Sequence, residues 1–310
     1  MSDIKKRQHY VWRHYLRPWA SNERIWTYFK EDDKVIQPGL MGVAQEKHFY
    51  KLIDLTEAEE NFLGKYIEHT SPETVKGLNL DFLTLFTSHS KLKKQLEANS
   101  NLKIDKEIIN EEIKKLEHNL MEDAHGKMEA LGFDLLKCET LDDLKSLAED
   151  DKVFDAIMFL CFQYFRTKSM KKSALQSFQG DKFEELANKT WNIISYSMAT
   201  TLARSISLDK NLKFAFVANP NADHFITGDQ PVFNILNDKV NDNGEVTELE
   251  LYYPLSPSTA IRVHFDPEQT EKYIEESVSE ETVDYLNKKV IENSDFFVFA
   301  DSKEILEKYK

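Results

Sequence analysis

The spacing of apolar residues changes along this 310-residue chain and divides it into stretches of different structure. Between residues 57 and 208, apolar positions recur every three or four residues, which predicts helices almost throughout. Residues 102–136 carry one apolar row opposite a face of Lys and Glu. Residues 153–165 are apolar nearly all round, so we expect a central, buried helix there. Residues 183–206 predict a further long helix.

After residue 208 the pattern changes to short apolar or alternating segments between turn residues, which is typical of strands. A helix over residues 280–292 and a last strand over residues 296–299 follow. Because helices and strands are segregated along the chain, the pattern predicts an α+β fold. We expect a mixed or antiparallel sheet with a large helical insertion packed on it. The other predicted strands cover residues 214–217, 224–226, 232–235, 249–252 and 260–263.

Residues 1–54 predict mixed structure. Residues 10–16 indicate a short helix that Pro18 stops, residues 22–29 fit a helix or a strand, and residues 41–50 alternate as a strand does. Thr56 and Glu59 have the spacing of a capping box at the start of the first long helix. No linker composition interrupts the chain. We therefore expect a single compact α+β domain over residues 1–310, with a helical part over 57–208 and a strand-rich part over 209–300.

Charge is distributed unevenly in this acidic chain. It has 54 acidic and 40 basic residues, a net charge of -14, which argues against a protein that coats nucleic acid with its whole surface. Residues 1–28 nevertheless hold six basic residues against two acidic ones, and residues 163–173 hold four basic residues and no acidic one. These two basic islands predict a local site for an anion, above all phosphate.

Cysteine usage and apolar runs limit the class of protein further. Cys138 and Cys161 are too few and too far apart for a disulfide framework or a zinc motif. No apolar run approaches the roughly 20 residues that a membrane span needs, and the first residues lack the apolar stretch of a signal peptide. We expect a cytoplasmic protein with no membrane partner, and the oligomeric state stays open.

The first basic island predicts one polar face. If residues 10–16 are helical, His9, Arg13 and Arg17 align at positions i, i+4 and i+8, with Tyr10 beside them. Histidine titrates near neutral pH and can move a proton, and arginine binds phosphate through a fork of donors. The alternatives are that Arg13 and Arg17 pair with surface acids and that His9 is structural.

The second island lies where the apolar helix turns polar. Gln163, Arg166 and Thr167 share a helix face, and a buried helix with a polar end often delivers side chains into a pocket. Arg166 would arrive partly desolvated, where its planar donors suit phosphate or carboxylate. The alternative is a buried ion pair inside the fold, with Asp229 as the partner.

Asp229 and Gln230 occupy a strand–turn–strand segment. Gly228 frees the backbone before Asp229, and Pro231 holds Gln230 extended. The carboxylate is thereby presented at a strand end, where it can orient His9 or Arg166, hold a divalent metal ion or act as a base. The alternative is a turn aspartate that binds its own backbone.

One long helix also carries residues of the types that bind metal ions. Glu117, His118, Glu122 and His125 lie on one long helix, but in so charged a helix we favour a solvated face over a metal site.

Several common catalytic motifs are absent from the sequence. There is no Gly-x-Gly-x-x-Gly, phosphate loop, Gly-x-Ser-x-Gly or His-Glu-x-x-His. Nucleotide-driven motors, α/β-hydrolases and zincin proteases are therefore disfavoured.

Five short motifs occur in order along nearly the whole chain, and together they resemble a bacterial family of unknown function, DUF4238. Two positions depart from the family pattern, because Lys168 and Trp12 stand where its members often have proline. The resemblance implies that His9, Gln163, Arg166 and Asp229 group into one site. It assigns no chemistry, although some relatives are associated with defence against phages. The motifs are His9-Tyr10-Val11 with Leu16-Arg17 and Trp19, Glu46-Lys47-His48-Phe49-Tyr50, Gln163 with Arg166-Thr167, residues 225–232, and residues 254–257.

These observations lead to a first hypothesis of a nucleic-acid-directed hydrolase, a ribonuclease-like effector. His9 would be the general acid or base, Arg13 and Arg166 would stabilise charge on the phosphorus oxygens, and Asp229 would orient His9 or hold a divalent metal. The second hypothesis is a sensing module that binds a nucleotide, RNA or a partner protein without chemistry. The third is a buried charge network that holds the helical part on the sheet. Substrate positioning falls to Tyr10, Arg17, Gln163, Thr167 and Gln230.

Overall fold

The architecture follows the division seen in the hydrophobic pattern. The computed structural model describes residues 3–99, 105–149, 152–176, 180 and 183–310. It is 53% helical and 18% strand, with antiparallel and mixed sheets beside several helices, so the fold is α+β as predicted. Within the described residues, no helix combines the length and the apolar character needed to cross a bilayer.

Helices dominate the middle of the chain and α7 is its buried centre. Phe159, Leu160 and Cys161 on α7 are all but inaccessible to solvent, and α7 packs along α9, which also contacts α3. The helices are α1 Arg13–Leu16, α2 Glu57–Thr70, α3 Glu73–Ala98, α4 Lys106–Leu131, α5 Phe133–Leu136, α6 Leu141–Glu149, α7 Val153–Phe165, α8 Lys168–Gln176, α9 Glu184–Leu208, α10 Glu280–Asn293 and α11 Lys303–Tyr309.

The predicted start of α2 is confirmed. The Thr56 side chain accepts a hydrogen bond from the Glu59 amide at 3.3 Å, and the Glu59 carboxylate accepts one from the Thr56 amide at 2.7 Å. This reciprocal pair satisfies two amides that the first helical turn leaves unpaired. The predicted helix over 102–136 is α4 followed by α5, and residues 102–104 lie outside the described residues.

Among the described residues, twelve strands form three sheets. One five-stranded sheet has the order β11-β6-β10-β9-β8, and the other has the order β2-β3-β12-β7 with β4 also paired to β3. A small sheet joins β1 and β5, and β11–β6 is the only parallel pair among the strands described. The strands are β1 Arg7–His9, β2 Ala20–Ser21, β3 Arg24–Phe29, β4 Lys34–Ile36, β5 Gln45–Lys47, β6 Leu212–Ala218, β7 Thr227–Gly228, β8 Phe233–Asn234, β9 Leu251–Ser256, β10 Thr259–Phe265, β11 Tyr273–Ser277 and β12 Phe297–Ala300.

Several local predictions need correction. The helix predicted over residues 10–16 is only the four-residue α1, followed by a 3-10 turn over Arg17–Trp19. The strand predicted over 41–50 is reduced to β5 after a 3-10 turn at Leu40–Gly42. Residues 224–226 are not a strand, although Thr227 and Gly228 just after them are. These segments are short, so long-range pairing decides their structure rather than local pattern.

The N-terminal stretch is built into both layers of the fold. Leu16, Phe159 and Tyr253 belong to one apolar cluster, which joins the N-terminal segment, the helices and the first sheet. A second cluster lies between α10 and the strands and includes Val217 and Val298. The first residues of the chain are therefore held against the ends of α4 and α7, where the candidate site lies.

Candidate functional site

A cavity of about 470 Å³ opens between the N-terminal segment and α4. We call it the arginine cavity, because three arginines and two histidines lie along its wall with two carboxylates. Its volume is in the range of small-ligand pockets, roughly 300–1,000 Å³. It is lined by Arg7, His9, Trp12, Arg13, His14, Arg17, Met41, Glu122, Glu129 and Phe133.

Backbone structure explains why His9, Arg13 and Arg17 share this wall. His9 lies on β1 opposite Gln45 of β5, so the predicted helical alignment of His9 is wrong. The chain then turns into α1, and a 3-10 turn that begins at Arg17 and contains Pro18 follows directly. A strand followed by two short helical turns thus brings the three side chains together, as the sequence predicted for a different reason.

The arginines of the cavity are sparsely neutralised. Among the described residues, neither Arg7 nor Arg13 has a carboxylate within 4 Å, and Arg13 donates to the Met41 sulfur instead. Arg17 lies 3.7 Å from Glu23, with both side chains about half exposed or more, and such exposed pairs contribute little. The alternative that Arg13 and Arg17 pair with surface acids therefore applies only to Arg17, and there the ion pair is weak. The cavity keeps positive charge available for an anion.

His9 combines a shifted pKa with an unpartnered atom. Burial lowers the pKa of His9, and the nearby Arg13 cation lowers it further. The ring is therefore neutral at pH 7 and able to accept a proton. Its Nδ1 atom is shielded from solvent and has no hydrogen-bond partner among the residues that the structure describes. Such an atom costs about 1–3 kcal/mol when it is left unpaired.

Glu122 shows the opposite shift on the other side of the cavity. Burial raises the pKa of Glu122, although the Arg166 cation opposes the shift. Its Oε2 atom is buried, and no described residue forms a hydrogen bond with it. A raised pKa makes a carboxyl group hold its proton to a higher pH, and this is the direction of shift that a general acid needs. Sequence reasoning considered Glu122 only as part of a solvated helix face and so missed its position in the cavity wall.

Arg166 closes the back of the cavity rather than lining it. Its Nη1 donates to Glu129 Oε1 at 2.7 Å, its Nε to the Tyr50 hydroxyl at 3.0 Å and its Nη2 to the His9 carbonyl at 2.8 Å. Its side chain is 2% exposed. The buried partner that the sequence assigned to Asp229 is therefore Glu129. Arg166 fixes the His9 backbone and neutralises one cavity carboxylate.

Asp229 lies outside the cavity and has a structural set of partners. Its Oδ1 accepts from the Asp295 amide at 2.8 Å, and its Oδ2 accepts from the amides of Phe296 and Phe297 at 2.8 and 3.2 Å. Burial raises the pKa of Asp229 to about 6, and the three amides oppose that shift. The expected contact of Asp229 with Arg166 is wrong, and the carboxylate anchors the start of β12.

The other predicted binding residues also lie behind the cavity. The Thr167 hydroxyl donates to Gln230 Oε1, and Gln230 Nε2 donates to the Tyr164 carbonyl at 3.0 Å. These bonds tie the end of α7 to the β7–β8 segment. Gln163 is buried with its Nε2 unpartnered, and Tyr10 is buried with the Lys168 ammonium 5.2 Å from its ring centroid. None of the four lines the arginine cavity.

The histidines of α4 are buried, so the solvated interpretation of that face is wrong. His118 is 7% exposed and its Nδ1 lies 3.1 Å from His48 Nδ1, while His125 is 4% exposed against Tyr50. Burial lowers the pKa of both rings. The described residues contain no group of three or more His, Cys, Asp or Glu side chains arranged to hold a metal ion.

Aromatic rings form one side of the cavity. Trp12 and Phe133 meet edge to face with ring centroids 4.9 Å apart, and His14 contacts both rings. Phe133 is 40% exposed, so part of this surface is open to a ligand. Flat rings beside arginine donors suit a ligand with both a planar group and an anionic group.

The fold and the cavity define an α+β protein with a cationic, aromatic-walled pocket at the edge of its helical part. The chain belongs to the family described as "Protein of unknown function (DUF4238)", whose sequence model matches residues 7–304. That match confirms the resemblance drawn from the five motifs. No curated protein and no solved structure matches the chain.

Proposed function

We propose that the arginine cavity binds the phosphodiester backbone of RNA and cleaves it, so that the protein acts as a ribonuclease-like effector. The observation that carries this proposal is the meeting of Arg7, Arg13 and Arg17 with His9 and Glu122 around one cavity. Arginine forks stabilise the charge that develops on phosphorus oxygens, and such fixed donors are the main source of catalysis in phosphoryl chemistry.

The two pKa shifts assign the proton-transfer roles. A neutral His9 takes the proton from a ribose 2′-hydroxyl, whose oxygen then attacks phosphorus. The bond from phosphorus to the 5′-oxygen breaks, and the protonated Glu122 gives its proton to that oxygen. The products are a 2′,3′-cyclic phosphate and a 5′-hydroxyl end. Trp12 and Phe133 provide a surface on which a neighbouring base stacks, and such stacking contributes about 1–3 kcal/mol per base.

The revised assignment separates catalytic from supporting residues. Arg13 and Arg17 contact the substrate phosphate in this proposal, whereas Arg166 holds the His9 backbone from behind through the 2.8 Å bond to its carbonyl. Asp229 keeps β12 in place through its three amide bonds. In this proposal, neither Arg166 nor Asp229 contacts RNA.

The test is cleavage of a fluorescent RNA oligonucleotide by matched pairs of variants. His9→Gln and Glu122→Gln are expected to slow cleavage by about 10²–10⁴-fold, the usual contribution of a general acid or base. The controls are His69→Gln, an exposed ring that bonds the Lys65 carbonyl, and Asp123→Asn, an exposed neighbour of Glu122 paired with Lys5. Equal rates for all four purified variants would refute the catalytic assignment.

The same chemistry is the basis for proposing a defence role. A ribonuclease with this cavity would arrest the growth of bacteria that express it, which fits an effector against phages. Expression of the wild type should stop growth and degrade cellular RNA, while the His9→Gln variant should do neither. Growth arrest by His9→Gln with intact RNA would contradict the link between the cavity and toxicity.

One observation favours a second candidate, a sensing module that binds RNA or a nucleotide without cleaving it. His9 Nδ1 and Glu122 Oε2 lie inside the cavity wall, shielded from solvent, so they are better placed to position neighbouring groups than to exchange protons with a ligand. In that case RNA raises the melting temperature, cleavage is absent from the wild type, and Arg13→Met weakens binding while His9→Gln does not.

A further inference from the structure

A second cavity lies beside α8 and shares no lining residue with the arginine cavity. It has a volume of about 390 Å³ and is enclosed by α2, α8 and α9. Its wall is almost wholly apolar, with the stacked rings of Phe62 and Phe183 at one end, 5.5 Å apart between centroids. The Thr190 hydroxyl in the wall already donates to the Leu186 carbonyl at 2.7 Å. The cavity therefore offers apolar contact and very little hydrogen bonding.

A lysine-rich cleft adjoins this apolar cavity, and Leu175 lines both. The cleft also holds Lys168, Lys171 and Lys172 of α8, which are the lysines of the second basic island in the sequence. Two of them already have carboxylate partners, because Lys168 pairs with Glu46 and Lys172 lies 2.7 Å from Asp295.

Lys171 is the exception among these lysines. Within the part of the chain that the structure describes, its ammonium group has no ion pair and no hydrogen bond. Burial lowers the pKa of Lys171, and Glu46 opposes that shift. A half-buried ammonium without a partner is costly unless an anion approaches it. Glu184 and Asp295 also lie in the cleft, but Asp295 is engaged by Lys172.

We propose that the two adjoining spaces, which share Leu175 in their walls, form one binding site for a single-chain anionic amphiphile, with the alkyl chain in the apolar cavity and the head group at Lys171. Alkyl chains gain about 0.8 kcal/mol for each buried CH₂, and the cavity volume lies in the usual range of about 300–1,000 Å³ for ligand sites. An anionic head, carboxylate or phosphate, supplies the partner that Lys171 lacks. This site is separate from the arginine cavity and does not depend on the proposed ribonuclease activity.

The head-group preference is tested on the wild type by calorimetric titration with four probes below their micelle concentrations. The probes are dodecanoate, dodecyl phosphate, dodecanol and dodecyltrimethylammonium. We expect saturable binding of one molecule of dodecanoate or dodecyl phosphate, at least tenfold tighter than dodecanol, and no binding of the cation. The tighter of the two anions identifies the head group. Equal affinity for dodecanol and both anions, or no saturable binding, would overturn the proposal.

Two variants and one matched control locate the site. Lys171→Met should weaken binding of the anions about tenfold and leave dodecanol unchanged, whereas Lys172→Met, on the same helix but paired with Asp295, should change neither by more than about threefold. Ala187→Leu fills the apolar cavity from α9, where Ala187 is 7% exposed, and should abolish binding of all alkyl probes. Circular dichroism confirms folding of each variant. Unchanged anion affinity in folded Lys171→Met would refute the assignment of the head group.

Discussion

Arg166 lies behind the wall of the arginine cavity and Arg13 lines it. Replacing each by methionine distinguishes an arginine that stabilises the fold from one that is available to bind a ligand. Arg166 is 2% exposed and its partner Glu129 is 16% exposed. Arg166→Met removes three donated hydrogen bonds and leaves the Glu129 carboxylate without its cation. Breaking a buried pair in this way costs about 3–5 kcal/mol. Arg13 has no ion pair among the described residues, so Arg13→Met should cost less than about 0.5 kcal/mol.

The assay is urea unfolding monitored by circular dichroism at pH 7, with the free energy of unfolding extrapolated to water. Glu129→Gln should cost a similar amount to Arg166→Met, because it strands a buried cation. The double variant Arg166→Met with Glu129→Leu should cost less than the sum of the two single changes, since no unpaired charge remains. A loss of less than about 1 kcal/mol for Arg166→Met would show that Arg166 is not the support described above.

Three further predictions concern the β7–β12 region and the arginine cavity. Asp229→Asn turns an amide nitrogen toward backbone donors and should cost about 1–3 kcal/mol below pH 4. Because burial raises the pKa of Asp229 from 3.8 to about 6, the contribution of Asp229 to stability is full below about pH 4 and is lost as pH rises through 6. The cost of the variant should therefore shrink over that range in unfolding titrations, and a cost that does not change with pH would contradict this assignment. Gly228→Ala places a Cβ in steric conflict with the Ser294 hydroxyl oxygen, so the melting temperature should fall. Adding Ser294→Gly should restore most of the loss, and an unchanged melting temperature in Gly228→Ala would contradict the packing. Arg13→Ala and Arg17→Ala should each weaken RNA binding, measured by fluorescence anisotropy. Each should also reduce the slope of the logarithm of the binding constant against the logarithm of the salt concentration by about one phosphate contact. An unaltered slope in both variants would show that these arginines do not contact RNA phosphates.

The long helices could be predicted because their structure depends on spacing within the segment. The apolar run of α7 and the capping box of Thr56 and Glu59 were both recognisable locally. The short strands were not, since β1 and β5 are three residues each and form only by pairing across the chain. His9, Arg13 and Arg17 line one cavity, but the helical alignment from which the sequence grouped them does not exist, because His9 lies on a strand.

The errors at the site have a common physical origin in partners that are distant in sequence. Asp229 binds amides 66 to 68 positions further along the chain, and no local pattern indicates that contact. Glu129 lies 37 positions before Arg166 on a helix whose charged face resembles a solvated surface. Glu122 was discounted for the same reason. Burial of a helix face by the N-terminal segment depends on the tertiary fold, which the spacing of charges does not reveal.

The central claim is that Arg13 and Arg17, rather than Arg166, receive the phosphate. NMR of the arginine Nε–Hε groups during titration with uridine 3′-monophosphate tests it most directly, with single Arg→Lys variants for assignment. The signals of Arg13 and Arg17 should shift and saturate together, while that of Arg166, which already donates to the Tyr50 hydroxyl at 3.0 Å, should stay in place. A saturating shift of Arg166 with Arg13 and Arg17 unmoved would contradict the account.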